Sequence, residues 1–169
     1  MWVVLLWPLL ALLDFGFTVL AMLLAPLIAL FVHSDGYLPR CLWWFQTPDS
    51  RMDGCDGDAN FCATHKAGWW TYVLWQWRNP AAGFSEWLGI GFDPLTLKLI
   101  KHDWVGGYLL LARDGTGLRA FEISHSPWNL RIGWKLGNLY RDPRERIPIV
   151  HRCNPFSGRN LALQQIKKQ

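Results

Sequence analysis

From Trp2 to Val32 the chain carries one ionisable side chain, Asp14, in an otherwise apolar run. No other feature restricts the fold as much, because a segment apolar on every face is not the amphipathic surface helix of a soluble domain. A spanning helix needs about 20 largely apolar residues to cross roughly 30 Å of hydrocarbon. Phe15–Val32 supplies eighteen, about 27 Å at a rise of 1.5 Å per residue. The whole run as one helix measures about 46 Å, too long for an upright span. Three arrangements fit: one tilted helix, an interfacial helix followed by a span, or a re-entrant hairpin turning near Asp14-Phe15-Gly16. A single span is preferred, since the run suffices for one crossing and not for two. A cleaved signal peptide fits less well, because no Lys or Arg precedes Arg40 and the run exceeds the usual apolar core of about 7–15 residues. Pro8 and Pro26 each remove a backbone hydrogen bond, which a membrane helix tolerates when neighbours compensate. Asp14 reads either as a polar contact inside an oligomer or as a charge at the membrane surface.

All 17 Lys and Arg residues follow the apolar run, so the positive-inside rule places the C-terminal part in the cytoplasm. The four cysteines read as separate small thiols, in keeping with a reducing compartment. That number is too small for a disulfide-built mini-protein, and a composition 51% hydrophobic and 15% aromatic excludes global disorder.

With 169 residues the chain has room for one domain and an anchor. Residues 1–33 form the expected anchor and 34–60 an aromatic collar with an acidic loop. A small α+β domain is expected over 61–156, followed by a polar tail over 157–169. In the collar, Tyr37, Arg40, Trp43, Trp44 and Phe45 suit the headgroup level, where Trp and Tyr concentrate and Arg snorkels; core positions for Trp43, Trp44 and Phe45 are the alternative. Phe61–Trp77 predicts a helix stopped by Pro80, its Trp-rich half suited either to an interface or to a domain core. Trp104–Ala112 and Leu118–Ser124 flank a Gly-rich link and predict a β-hairpin. Trp128–Leu136 alternates, with Leu130, Ile132, Trp134 and Leu136 on one face, and Ile147–Val150 predicts a short edge strand. The fold class is therefore α+β: a transmembrane or membrane-associated helix, then a Trp-rich domain with a helix and a three- or four-stranded antiparallel sheet.

Candidate chemistry gathers in the acidic loop. Asp56-Gly57-Asp58-Ala59-Asn60 matches the first ligand positions of a calcium loop, but Phe61 replaces its glycine and Ala67 its bidentate glutamate. Asp49 and Asp53 add carboxylates, so Asp49, Asp53, Asp56, Asp58 and Asn60 form the candidate site for calcium or another divalent cation, set against a solvated turn. Cys55, Cys62 and His65 lack the tight cysteine spacing of structural zinc sites. A Cys62–His nucleophile pair has no orienting motif around it, and the glycines build no phosphate cradle. The basic C-terminal residues suit anionic lipid better than nucleic acid beside an anchor.

Four phrases, Trp44-Phe45-Gln46-Thr47-Pro48-Asp49, Trp77-Arg78-Asn79-Pro80, Gly133-Trp134-Lys135-Leu136-Gly137 and Asn154-Pro155-Phe156, follow the apolar start in that order. In this the chain resembles a family of small uncharacterised membrane proteins encoded by tailed bacteriophages. The resemblance implies a phage product at the bacterial inner membrane or in the virion, and it implies no reaction. The leading expectation is a non-enzymatic, membrane-anchored or virion-associated protein acting through contacts with lipid, copies of itself or an assembly, without a cofactor. The alternative is a membrane-bound, divalent-metal-dependent enzyme or metal-binding module using the Asp-rich loop.

Overall fold

A computed structural model describes residues 2–93, 95–126, 128, 130–138 and 146–152. Its first element, α1, runs from Trp2–Ile28 without a break and tightens into a 3₁₀ turn at Ala29–Phe31. The helix is continuous through Asp14-Phe15-Gly16, so the re-entrant hairpin considered above is not formed. Asp14 is buried and accepts a hydrogen bond from Ser85 Oγ at 2.7 Å. It thus has a partner within the chain and is not a solvent-exposed charge.

The chain divides into two compact units, Leu12–Leu88 and a second made of Met1–Ala11 with Gly89–Gln169. The expected segments 1–33, 34–60 and 61–156 follow a different division. The helical unit holds most of α1, a 3₁₀ segment Arg40–Phe45, α2 (Ala59–Thr64), α3 (Trp69–Arg78) and α4 (Ala82–Trp87). The helix expected over 61–77 is two helices. Asp58 caps the first, accepting from the Phe61 N–H at 2.9 Å, and the Ala67-Gly68 pair interrupts the run before Trp69. α3 stops just ahead of Pro80, as expected of a residue whose ring and missing N–H end a helix.

Two clusters hold this unit together. Ile28, Leu38, Met52, Phe61 and Trp75 form one; Ala25, Ala29 and Val73 form the other, where small side chains let α3 approach α1. At Pro26 the missing N–H leaves the Met22 carbonyl without its helical donor. The Trp77 indole Nε1–H supplies one at 2.9 Å, and the Trp69 indole donates to the Pro26 carbonyl at 2.9 Å. α4 comes close to the 3₁₀ segment because Gly83 has no side chain: a Cβ there would lie 2.4 Å from the Trp43 carbonyl oxygen.

The other unit is a meander of five antiparallel strands, one more than the upper expectation: β1 (Lys98–Trp104), β2 (Gly107–Asp114), β3 (Gly117–His125), β4 (Leu130–Trp134) and β5 (Ile149–Arg152). The predicted hairpin is β2–β3, closed by Asp114-Gly115-Thr116-Gly117, in which Asp114 accepts from the Thr116 N–H at 2.8 Å. The predicted Ile147–Val150 strand shifts to β5 at the sheet edge, while Ile147 makes an isolated bridge with Ile90. The polar tail over 157–169 lies outside the described residues.

On one sheet face Trp7 meets Phe121 edge-on, Phe121 meets Trp134, and the Trp7 indole donates to the Gly133 carbonyl at 3.1 Å. On the other, Glu122 is fully buried. It is ion-paired with Arg131 and accepts from Tyr108 Oη at 3.0 Å and from the Gly137 N–H at 2.8 Å. Burial, then the neighbouring carboxylate, pushes the Tyr108 phenol above its usual value. Gly133 sits opposite Glu122 with φ +109°, and a Cβ there would fall 2.0 Å from the Phe121 carbonyl oxygen.

Two stability outcomes follow from these contacts. Gly133→Ala destabilises the sheet unit by more than about 1 kcal/mol, since both φ and the backbone contact oppose a side chain; denaturant unfolding followed by near-UV circular dichroism measures it. Trp77→Phe removes the donor to the Met22 carbonyl and costs about 0.5–1.5 kcal/mol. In a Pro26→Ala background, which returns the helical donor, the same change costs less. Equal losses in both backgrounds on thermal unfolding in detergent would refute the capping role.

Candidate membrane-facing site

α1 presents two stripes of different composition. The buried residues of α1 recur at heptad-like spacing and are small or polar along most of it, Ala11, Asp14, Ala21 and Ala25, with the larger Ile28 at its C-terminal end. Large aliphatic side chains occupy the outward positions, among them Leu5, Leu12, Leu20, Leu23 and Leu27, with Leu23 73% exposed. The polarity is therefore inverted relative to a soluble helix, which turns its leucines inward. Small residues at helix contacts and large ones outside are the pattern of helices packed in lipid. Residues Val3–Phe31 are long and apolar enough to cross a membrane, with a mean hydropathy of 2.2.

Aromatic side chains flank this helix within the helical unit. Phe17 stacks on Phe84 at 4.1 Å between centroids and on Phe45 at 5.0 Å, and Trp44 meets Phe17, Phe84 and Trp87 at about 6 Å. Of the five collar residues, Phe45 is partly buried in this stack, whereas Tyr37, Arg40, Trp43 and Trp44 are exposed. Trp44 packs against Phe17, Phe84 and Trp87 and is also partly exposed. α3 divides likewise: Val73 and Trp75 are buried, while Trp69, Trp70 and Trp77 are exposed, Trp69 and Trp77 bonded to α1 and Trp70 against both of their rings.

The acidic loop is organised by arginines and backbone amides. Arg51 binds Asp56 through both side-chain oxygens, Nε to Oδ2 at 3.0 Å and an η nitrogen to Oδ1 at 3.2 Å. That bidentate hold lowers the Asp56 pKa and raises that of Arg51. Asp58 is the α2 cap; the Phe61 N–H first, then Arg78, hold its carboxyl below the usual carboxylate range. Asp53 accepts from the Cys55 N–H at 2.9 Å. Asp49 and Asn60 are exposed at either end of the loop. Among the described residues, no three His, Cys, Asp or Glu side chains gather in a group able to hold a metal ion. The calcium-loop resemblance ends in a helix: α2 starts at Ala59, directly after the capping Asp58.

Cys55 and Cys62 are joined in a disulfide. This corrects the reading of separate thiols and removes both residues as zinc ligands and Cys62 as a nucleophile. The pairing needs tertiary placement: the loop turns at Gly54 and Gly57, so that the first turn of α2 returns Cys62 to Cys55 at a Cα separation of 4.7 Å. Cys41 is a free, exposed thiol. In the sheet unit, Trp104, Val105 and Trp128 are exposed near the β1–β2 and β3–β4 turns.

Sequence reasoning missed the two α3 tryptophans that donate to α1, the Ser85 that meets Asp14, and the split of α1 into stripes. The first had a usable signal, since a helical proline leaves a carbonyl in need of a donor and Trp is donor-only.

Residues 1–160 match the model of a family of unknown function, DUF7338, and the chain belongs to that family. No curated protein and no solved structure matches it.

The Asp58 geometry fixes a pH dependence. A carboxylate whose folded pKa is depressed adds stability above its unfolded value, about 4, and loses it as pH falls through the lower folded value. Asp58→Asn retains a good helix cap but removes the titration. Stability of that variant should decline less between about pH 4 and pH 2 than that of the parent chain; identical acid limbs in chemical denaturation would contradict the assignment.

Proposed function

We propose that this DUF7338 member is a membrane-held protein that works by contact and not by catalysis. The outward leucine stripe of α1 carries the reading: it is apolar over the whole length of the helix and turned away from the structure's own cores. Burying such a surface contributes about 25 cal/mol per Å² of apolar area. The phage setting, at the host envelope or in the virion, belongs to the proposal and rests on the ordered phrases alone. The metal-dependent alternative would require Asp56 and Asp58 to turn to a cation, and the hold of Arg51 and Arg78 on them favours the contact reading.

The proposal sets the helical unit on the extracytoplasmic side, the reverse of the placement expected from the basic residues. The Cys55–Cys62 disulfide supports that side, because such bonds persist in oxidising compartments and are rare in the cytosol.

Fractionation of bacteria expressing the full chain tests both parts. The protein should sediment with membranes, resist high salt and be released by detergent. Leu20→Glu with Leu23→Glu should move most of it to the soluble pool, while Leu99→Glu, on the exposed edge strand β1, should not. A soluble, monomeric parent chain refutes the membrane reading. Alkylation of intact cells before and after reduction should find Cys55 and Cys62 blocked until reductant is added; free thiols in the cell refute the extracytoplasmic side alone.

A further inference from the structure

We infer that α1 lies along the membrane surface, with its leucine stripe sunk into the hydrocarbon of one leaflet, and does not cross the bilayer. The inference rests on the membrane-held reading and specifies how lipid is engaged. It follows from what lies beside the helix. The Trp77 indole reaches the Met22 carbonyl, so the C-terminal end of α3 sits next to the middle stretch of the apolar run. The next residue, Arg78, is half exposed and ion-paired with Asp58. Further along α1, Asp14 is met by Ser85 of α4, a six-residue helix entered through the Asn79-Pro80-Ala81 turn.

A span would take these flanking elements into the hydrocarbon with α1. It would place an exposed ion pair and the short turns around α2, α3 and α4 where no water can satisfy charges or open backbone groups. An interfacial helix buries its apolar side only about 5–10 Å deep, which leaves the loops and the Arg78–Asp58 pair on the water side. Trp69 and Trp77 suit that depth: their indoles bond to α1 carbonyls while their rings are exposed beside the stripe, and Trp favours the headgroup level.

The occupant is lipid and not a second copy of the chain. The outward side chains, Leu5, Leu9, Leu12, Leu20, Leu23 and Leu27 among them, offer no hydrogen-bonding group, whereas protein interfaces form roughly one hydrogen bond per 100–200 Å². A helix that stays in one leaflet also carries no loop across, so the positive-inside rule does not fix the side of its basic residues. That removes the conflict between those residues and the disulfide.

Nitroxide labels at Leu9→Cys, Leu20→Cys and Leu27→Cys, in a full chain with Cys41→Ser and Cys153→Ser, test this in phosphatidylcholine/phosphatidylglycerol vesicles. Power saturation with oxygen and a nickel chelate gives the depth of each label. A flat helix places all three at one shallow depth. Depths that change along the helix, by about 1.5 Å per residue for an upright span, overturn the flat position and leave the membrane reading intact. Labels open to the chelate at all three sites overturn both. Labels shielded from both oxygen and chelate would show a protein partner on the stripe and overturn the lipid assignment. Each variant is first checked for parental circular dichroism.

Discussion

The helical unit depends on a hydrogen-bond deficit inside an apolar helix. Pro26 removes the donor for the Met22 carbonyl, and the Trp77 indole restores it from a neighbouring helix. A hydrogen bond of this kind contributes about 0.5–1.5 kcal/mol net, so the deficit favours the docking position of α3 that supplies it. The alanines at 25 and 29, packed with Val73, make that position close enough to reach. Once α3 is seated, the core of Ile28, Leu38, Met52, Phe61 and Trp75 can close, and the disulfide ties the preceding loop to α2. The leucines are left outside because the small residues have taken the inside.

The sheet unit solves a different problem with the same accounting. Glu122 is buried without contact with solvent, and its oxygens are satisfied by Arg131, Tyr108 and the Gly137 N–H. Gly133 keeps the opposing strand close to it. A buried carboxylate of this kind is costly to leave unpaired, and it pins the register of β2, β3 and β4 together.

Legibility of the sequence varied with how local the cause was. The β2–β3 hairpin was readable because Asp-Gly turn chemistry sits between two apolar strands, and the end of α3 because Pro80 acts on its own neighbourhood. β1 was not readable: its residues are nearly all exposed, so no hydrophobic alternation marks them, and the backbone ladder with β2 supports the strand. The break between α2 and α3 was hidden because apolar residues resume directly after Ala67-Gly68, so the two short helices read as one run ending at Pro80. In the acidic loop the residue types suggested ligands, yet Asp56 and Asp58 serve Arg51, Arg78 and a helix cap. Carboxylates spaced for a cation and carboxylates spaced for turns look alike until their partners are placed.

By itself the sequence determined that a long apolar helix opens the chain and that an α+β, Trp-rich portion follows. Those properties depend on composition and short-range periodicity. It did not determine which side of the helix faces protein, since apolar residues surround it, nor that Asp14, Cys55 and Cys62 have partners within the chain. Only the tertiary structure decided these, because each depends on groups distant in sequence meeting at hydrogen-bond or covalent distance: Asp14 with Ser85, Met22 with Trp77, and Cys55 with Cys62 across the folded loop.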